Sequence, residues 1–166
     1  MIYALLASMT YANGGFYDYL GELFMRLNLG NDRTSQFFTP YYVSKMCAKM
    51  SVTDNEMKTQ IADGDIFTIN DPCCGAGGMA LAAMDVLYND YKFNYTRNCF
   101  VISEDIGLRC VHMTYLQLSL AGVPAIVKHQ NTLTRELWSV WETPAYIFQL
   151  PRFAHLAKQS HGGDKS

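Results

Sequence analysis

The chain has 166 residues, of which 49% are hydrophobic and 17% charged, the balance of one folded domain and not of a disordered chain. A net charge of −2 and a pI near 6.0 argue against strong binding of nucleic acid by a basic surface of its own, since nonspecific affinity comes from phosphate neutralisation. No apolar run reaches the roughly 18–20 residues that span a bilayer, and the apolar residues 1–10 lack the basic flank of a signal peptide, so a cytoplasmic, reduced setting is expected.

In chain order, residues 3–11 read as a first helix, stopped at Asn13-Gly14-Gly15. Residues 17–27 place Leu20, Phe24 and Leu27 at helical spacing, with an end marked by Asn28-Leu29-Gly30-Asn31. Gln36-Phe37-Phe38-Thr39-Pro40 precedes a helix over 41–50, with Thr39 as N-cap and Pro40 in the first turn. Residues 53–62 read as a polar helix, and Asp63-Gly64-Asp65 as the turn into a first strand, 66–70. Then come Asp71-Pro72-Cys73-Cys74-Gly75-Ala76-Gly77-Gly78 and an apolar helix over 79–87. The five cysteines (Cys47, Cys73, Cys74, Cys99 and Cys110) show no C-x-x-C spacing, so a zinc site is not expected, and Cys73-Cys74 read as small residues packing a tight turn.

A second strand is expected over 99–103, followed by Glu104-Asp105. The helix over 107–121 carries a stripe of Leu108, Val111, Tyr115 and Leu118 and ends before Gly122, with His112 and Met113 as core or surface residues and not ligands. A third strand, 125–128, leads to Asn131-Thr132-Leu133, and residues 132–141 are open to a helix with Asn131 as N-cap or turn residue. Residues 146–150 read as a fourth strand. Two small basic groupings stand out, Lys92, Arg97 and Arg109, and Lys128, Arg135, Arg152 and Lys158.

Strand, glycine-rich turn and helix in that order make the first unit of a nucleotide-type site. Glycines let the backbone turn sharply and let a ligand approach closely, and the helix N-terminus offers unpaired N–H groups. An acid at the end of the second strand is placed to bind ribose hydroxyls. Asp105 is the better placed of the pair and Glu104 the fallback, while both also suit the N-terminus of the next helix. An Asn amide after the third strand can donate and accept, which suits an adenine edge.

Taken together, Gln36-Phe37-Phe38-Thr39-Pro40, the glycine turn, Glu104-Asp105 and Asn131-Thr132-Leu133 resemble the S-adenosylmethionine-binding half of the amino-methylating DNA methyltransferases. The nearest group is the modification subunit of type I restriction systems and the small methylases related to it, and the match spans about residues 20–145. The resemblance implies an α/β, partial Rossmann-like methyltransferase fold: a short parallel sheet with an N-terminal helical segment over 1–52, a cofactor-binding half domain over 53–150 and a flexible tail over 151–166. It implies S-adenosylmethionine as cofactor and DNA as partner, bound weakly by this chain alone. Phe38, Thr39 and Pro40 would lie over the methionine part. Asp71, Cys73, Gly75 and Gly77 would form the turn around it, Asp105 and Ile106 would hold the ribose side, and Asn131 would face the adenine amino group.

Adenine-methylating members carry an Asn/Asp-Pro-Pro-Tyr/Phe tetrapeptide whose polar groups accept the target amine and whose ring stacks on the flipped base. No such tetrapeptide occurs here; the nearest approach is Thr143-Pro144-Ala145-Tyr146. No catalytic residue is assigned. The expectation is an N6-adenine DNA methyltransferase-like protein that binds the cofactor. The alternatives are a noncatalytic cofactor-binding relic or regulatory subunit of a DNA modification system, and a methyltransferase of smaller substrates. The family's sheet has seven strands, so an early sheet edge is expected, covered by residues 138–153 and by a homodimer or partner chain.

Overall fold

The computed structural model describes residues 16–27, 38–52, 66–151 and 153. The readings of residues 3–11, the glycines at 14 and 15, the stop at 28–31, Gln36-Phe37, the helix over 53–62, its following turn, and Arg152, Lys158 and the terminal glycines lie outside these residues. The elements are α1 (Tyr19–Arg26), α2 (Tyr41–Ser51), β1 (Phe67–Asp71), α3 (Gly78–Asp85) running into a π-helical turn (Val86–Asp90), α4 (Tyr95–Asn98), β2 (Cys99–Asp105), α5 (Leu108–Leu120), β3 (Ala125–Asn131), β4 (Glu136–Glu142) and α6 (Pro144–Phe148). The fold is mixed α/β with one four-stranded sheet in the order β1-β2-β3-β4. β1, β2 and β3 are parallel, and β4 is antiparallel to β3.

The sheet is buried on two faces by different means. Cys99, Val101, Ala125 and Val127 point to a core shared with Ala80, Met84, Val111 and Leu118 of α3 and α5 and with Phe16, Tyr41 and Ala48 of the N-terminal segment. The alternate residues Phe100 and Ile126 point to the other face, where Tyr146 and Phe153 cover them. Phe100 stacks on Tyr146 at 5.4 Å and on Phe153 at 5.5 Å between ring centroids. Period-2 alternation thus feeds two cores, which is why β2 and β3 read as continuous apolar runs.

Three sequence readings are corrected. Residues 146–150 form no strand; 146–148 belong to α6 and Gln149 follows as its C-cap. Thr143 caps α6 by accepting from Tyr146 N and Pro144 opens its first turn, a start signal that outweighs the β-propensity of Tyr146, Ile147 and Phe148. Residues 132–141 are a turn and strand, not a helix: the Asn131 side chain accepts from the amides of Leu133 and Thr134, and Arg135 adopts φ 64°, folding the chain back along β3. The segment 138–153 does not cover the β1 edge, because β4 pairs at the opposite side of the sheet and α6 packs on its face.

Smaller differences follow the same physics. In the α5 stripe Val111 and Leu118 are buried, whereas Leu108 is 44% exposed at the helix start. Gly122 follows α5 with φ 68°, as its position past the helix predicted. Lys128 joins no surface basic patch; it is buried beside Glu104. His112 packs edge-on against Trp141 at 4.9 Å. Among the described residues no helix is long and apolar enough to cross a membrane.

Candidate functional site

The carboxyl ends of β1, β2 and β3 face a cavity of about 530 Å³, within the size range of small-molecule sites. Its walls follow the sheet order. Gln130, Asn131, Thr132 and Leu133 come from the end of β3, and Asp105 and Ile106 from the end of β2. The turn after β1 forms the middle, and Phe38, Thr39, Ser44 and Asp18 close the far end.

The glycine turn is built for close approach. Gly75 has φ 56° and a Cβ there would stand 3.0 Å from Phe38 Cδ1. Gly77 has φ 94° and caps α3, and a Cβ there would stand 3.1 Å from Thr114 Oγ1. The turn is then pinned from three sides. Thr114 Oγ1 donates to Gly75 O at 2.9 Å, Gln117 Nε2 donates to Ala76 O at 2.8 Å, and Cys74 N donates to Glu104 O at 2.9 Å.

Asp105 is the last residue of β2 and accepts from Gly75 N at 2.9 Å and from Gly107 N at 2.7 Å. It therefore ties the glycine turn to Gly107, the N-cap residue of α5, but no side chain caps that helix, so the helix-capping reading of Glu104-Asp105 is corrected. Its neighbour Glu104 points elsewhere. Glu104 is 3% exposed and meets Lys128 Nζ at 3.7 Å, Arg135 Nη1 at 3.6 Å, Gln130 Nε2 at 3.2 Å and Thr132 Oγ1 at 3.0 Å. Thr132 Oγ1 also lies 2.8 Å from Pro72 O. Glu104 is thus a structural anchor under the site, with its charge matched by two cations.

Of the site residues read from sequence, Phe38, Thr39, Cys73, Gly75, Asp105, Ile106 and Asn131 line the cavity together. Pro40, Asp71 and Gly77 do not line it. Pro40, not Thr39, is the N-cap of α2: its carbonyl accepts from Val43 N and Ser44 N, and no side chain caps the helix. Asp71 turns back on its own loop, where Oδ1 lies 3.4 Å from Cys73 N and Oδ2 is buried without a hydrogen-bond partner among the described residues. Burial raises its pKa, with a smaller push from Asp105. Asn131 is the last residue of β3 and not a residue beyond it; its Oδ1 is committed to the turn, which leaves Nδ2 as the group it can offer.

Sequence reasoning missed Asp18, Ser44 and Gln130. No spacing pattern marks any of the three in the sequence. Gln130 is 3% exposed, and its Oε1 takes no hydrogen bond among the described residues. Asp18 is 5% exposed, and burial raises its pKa against the pull of Gln117 and Gly21. No lysine or arginine lines the cavity among the described residues, whereas Asp18 and Asp105 do. An anionic wall disfavours a pyrophosphate and favours a ligand with positive charge.

Thr143-Pro144-Ala145-Tyr146 stands away from this cavity. Thr143 Oγ1 donates to Val123 O at 2.7 Å and accepts from Ala125 N at 2.9 Å, at the start of β3 and so at the opposite end of the strands from the cavity. Tyr146 is 1% exposed. Its ring is spent on the core and has no face to offer a base.

A family model described as N-6 DNA Methylase matches residues 13–163. No curated protein and no solved structure matches the chain.

Proposed function

The chain belongs to the N-6 DNA methylase family, and from that premise we propose that it binds S-adenosylmethionine in the cavity at the ends of β1, β2 and β3. The observation that carries the reading is the pairing of a Cβ-free turn at Gly75 with a wall that, among the described residues, holds two carboxylates and no lysine or arginine. When bound, S-adenosylmethionine supplies a methyl group on a sulfonium centre, and the ligand is cationic overall. Asp105, on the middle strand, is set to accept from the ribose hydroxyls. Gln130 Oε1 suits the adenine amino group as an acceptor, and Asn131 Nδ2 suits a ring nitrogen as a donor. Ile106 and Leu133, 61% and 94% exposed, stand as apolar jaws for the base at the mouth. Phe38 and Thr39 lie at the methionine side, against Gly75.

The family's substrate class is adenine in DNA. The residues nearest in sequence to the family's acceptor tetrapeptide are committed to the core. We therefore assign the described residues the cofactor half of the reaction and place the acceptor for the target amine outside them. Among the described residues β1 pairs only with β2, so its free edge is available to a further strand.

Titration calorimetry with S-adenosylmethionine tests the reading. Saturable binding is expected, and Asp105→Ala is expected to weaken it by about 1–3 kcal/mol, the scale of a charge-assisted hydrogen bond. No heat and no thermal shift at millimolar ligand would sink it. Methyl incorporation into double-stranded DNA by the purified chain is expected to be absent or barely above background, and robust incorporation would overturn the division of labour.

A further inference from the structure

The far end of the cavity holds a carboxylate for which the fold clears space. A Cβ at Gly21 would stand 2.2 Å from Asp18 Oδ2, and one at Gly78 would stand 2.8 Å from the same atom. Two glycines, one in α1 and one in the first turn of α3, thus make room for this side chain. Asp18 Oδ1 accepts from Gly21 N at 2.8 Å and from Gln117 Nε2 at 2.7 Å. Oδ2 takes neither bond. Among the described residues Asp18 has no ion-pair partner. The cavity lining also includes Ser44, 1% exposed, whose Oγ is buried with no hydrogen-bond partner among the described residues. A buried carboxylate without a cation and a buried hydroxyl without a partner are both costly unless something fills them.

We infer that Asp18 and Ser44 form an ammonium-binding subsite that takes the α-ammonium of the cofactor's amino-acid end. The inference rests on the cofactor reading given above. The cavity fixes the direction: groups suited to adenine come from β3, the group suited to ribose from β2, and the amino-acid end then falls beyond the glycine turn, where Asp18 and Ser44 lie. The ammonium has three donors; Asp18 Oδ2 and Ser44 Oγ supply two acceptors, one charged. Asp18 would be a specificity determinant, favouring ligands that carry this cation over adenosines that lack it.

The test is calorimetry of the full chain with S-adenosylhomocysteine and with its desamino analogue, in which hydrogen replaces the ammonium. The parent protein is expected to prefer S-adenosylhomocysteine by about tenfold or more, the range of one charge-assisted hydrogen bond. In Asp18→Asn that preference is expected to collapse toward unity while affinity for the desamino analogue stays within about twofold. Asn keeps an acceptor for Gly21 N, so α1 stays capped. Ser44→Ala is expected to lower the preference by a smaller factor. A parent that binds both ligands equally, an Asp18→Asn variant that keeps the parent's preference, or one that loses both ligands in equal measure would each overturn the subsite. A parent that binds neither ligand would overturn the cofactor reading itself.

Discussion

Gln117 Nε2 lies 2.7 Å from Asp18 Oδ1, a contact between residues 99 apart in the chain. The same nitrogen donates to Ala76 O, and Gln117 Oε1 accepts from Leu20 N at 3.1 Å. One buried amide on α5 therefore joins the start of α1 to the glycine turn. Gln117→Leu removes all three bonds at similar volume, strands the Leu20 amide and the Ala76 carbonyl, and leaves Asp18 Oδ1 with Gly21 N alone. A loss of about 2–4 kcal/mol in denaturant unfolding is expected, on the scale of leaving buried polar groups unsatisfied. A loss below about 0.5 kcal/mol, the level of an ordinary surface change, would show that the bridge does not hold the turn.

Two glycines with positive φ separate backbone strain from crowding. Gly122 has φ 68° and nothing within 4 Å of a Cβ, whereas Gly77 has φ 94° and faces Thr114. Gly122→Ala is expected to cost about 1 kcal/mol, from the left-handed backbone alone. Gly77→Ala is expected to cost roughly 2 kcal/mol or more, because its Cβ also meets the Thr114 backbone. Equal losses in parallel chemical denaturation would refute this ordering.

The Asp18 carboxyl titrates higher in the folded chain than its ordinary 3.8, chiefly through burial. A folded acid with a raised pKa binds more protons than the unfolded chain between the two values, so stability falls as pH rises through that window and the penalty is full above it. Asp18→Asn removes the penalty. The variant is expected to melt a few degrees above the parent at neutral pH, and the gap is expected to close as pH falls toward 3.8. A gap that widens in acid would contradict the assignment.

Thiol chemistry reads the cavity from outside. Cys73 is exposed and lines it, whereas Cys74, Cys99 and Cys110 are buried. Burial pushes the Cys110 thiol up to about 12 and raises Cys74 and Cys99 as well. Alkylation at pH 8 followed by peptide mass spectrometry is expected to label Cys73 well before these three, since the thiolate is the reactive form. Saturating S-adenosylmethionine is expected to slow labelling at Cys73 and leave the half-buried Cys47 unchanged. Equal rates with and without ligand would place the ligand elsewhere.

The three parallel strands and the α5 helix were legible because apolar runs and terminal glycines write them into local sequence. β4 was not. Leu133, Leu137 and Trp141 fall at helical spacing, and the chain reversal rests on Arg135 in a left-handed conformation that Arg rarely adopts. The α6 segment carries strand-like residues, and only Thr143-Pro144 announces the helix. In the site, the glycines and Asp105 stood out by order. Asp18, Ser44 and Gln130 matter through partners or cavity walls far away in sequence, and local pattern carries no trace of that.

Glu104 gathers Lys128, Gln130, Thr132 and Arg135 on its side chain while its carbonyl receives Cys74 N. Residues that share one buried anchor do not contribute independently. Drift at this mouth should therefore proceed by paired exchanges: a neutral residue at 104 becomes tolerable once 128 has also lost its charge. Homologous chains would then show positions 104 and 128 changing together.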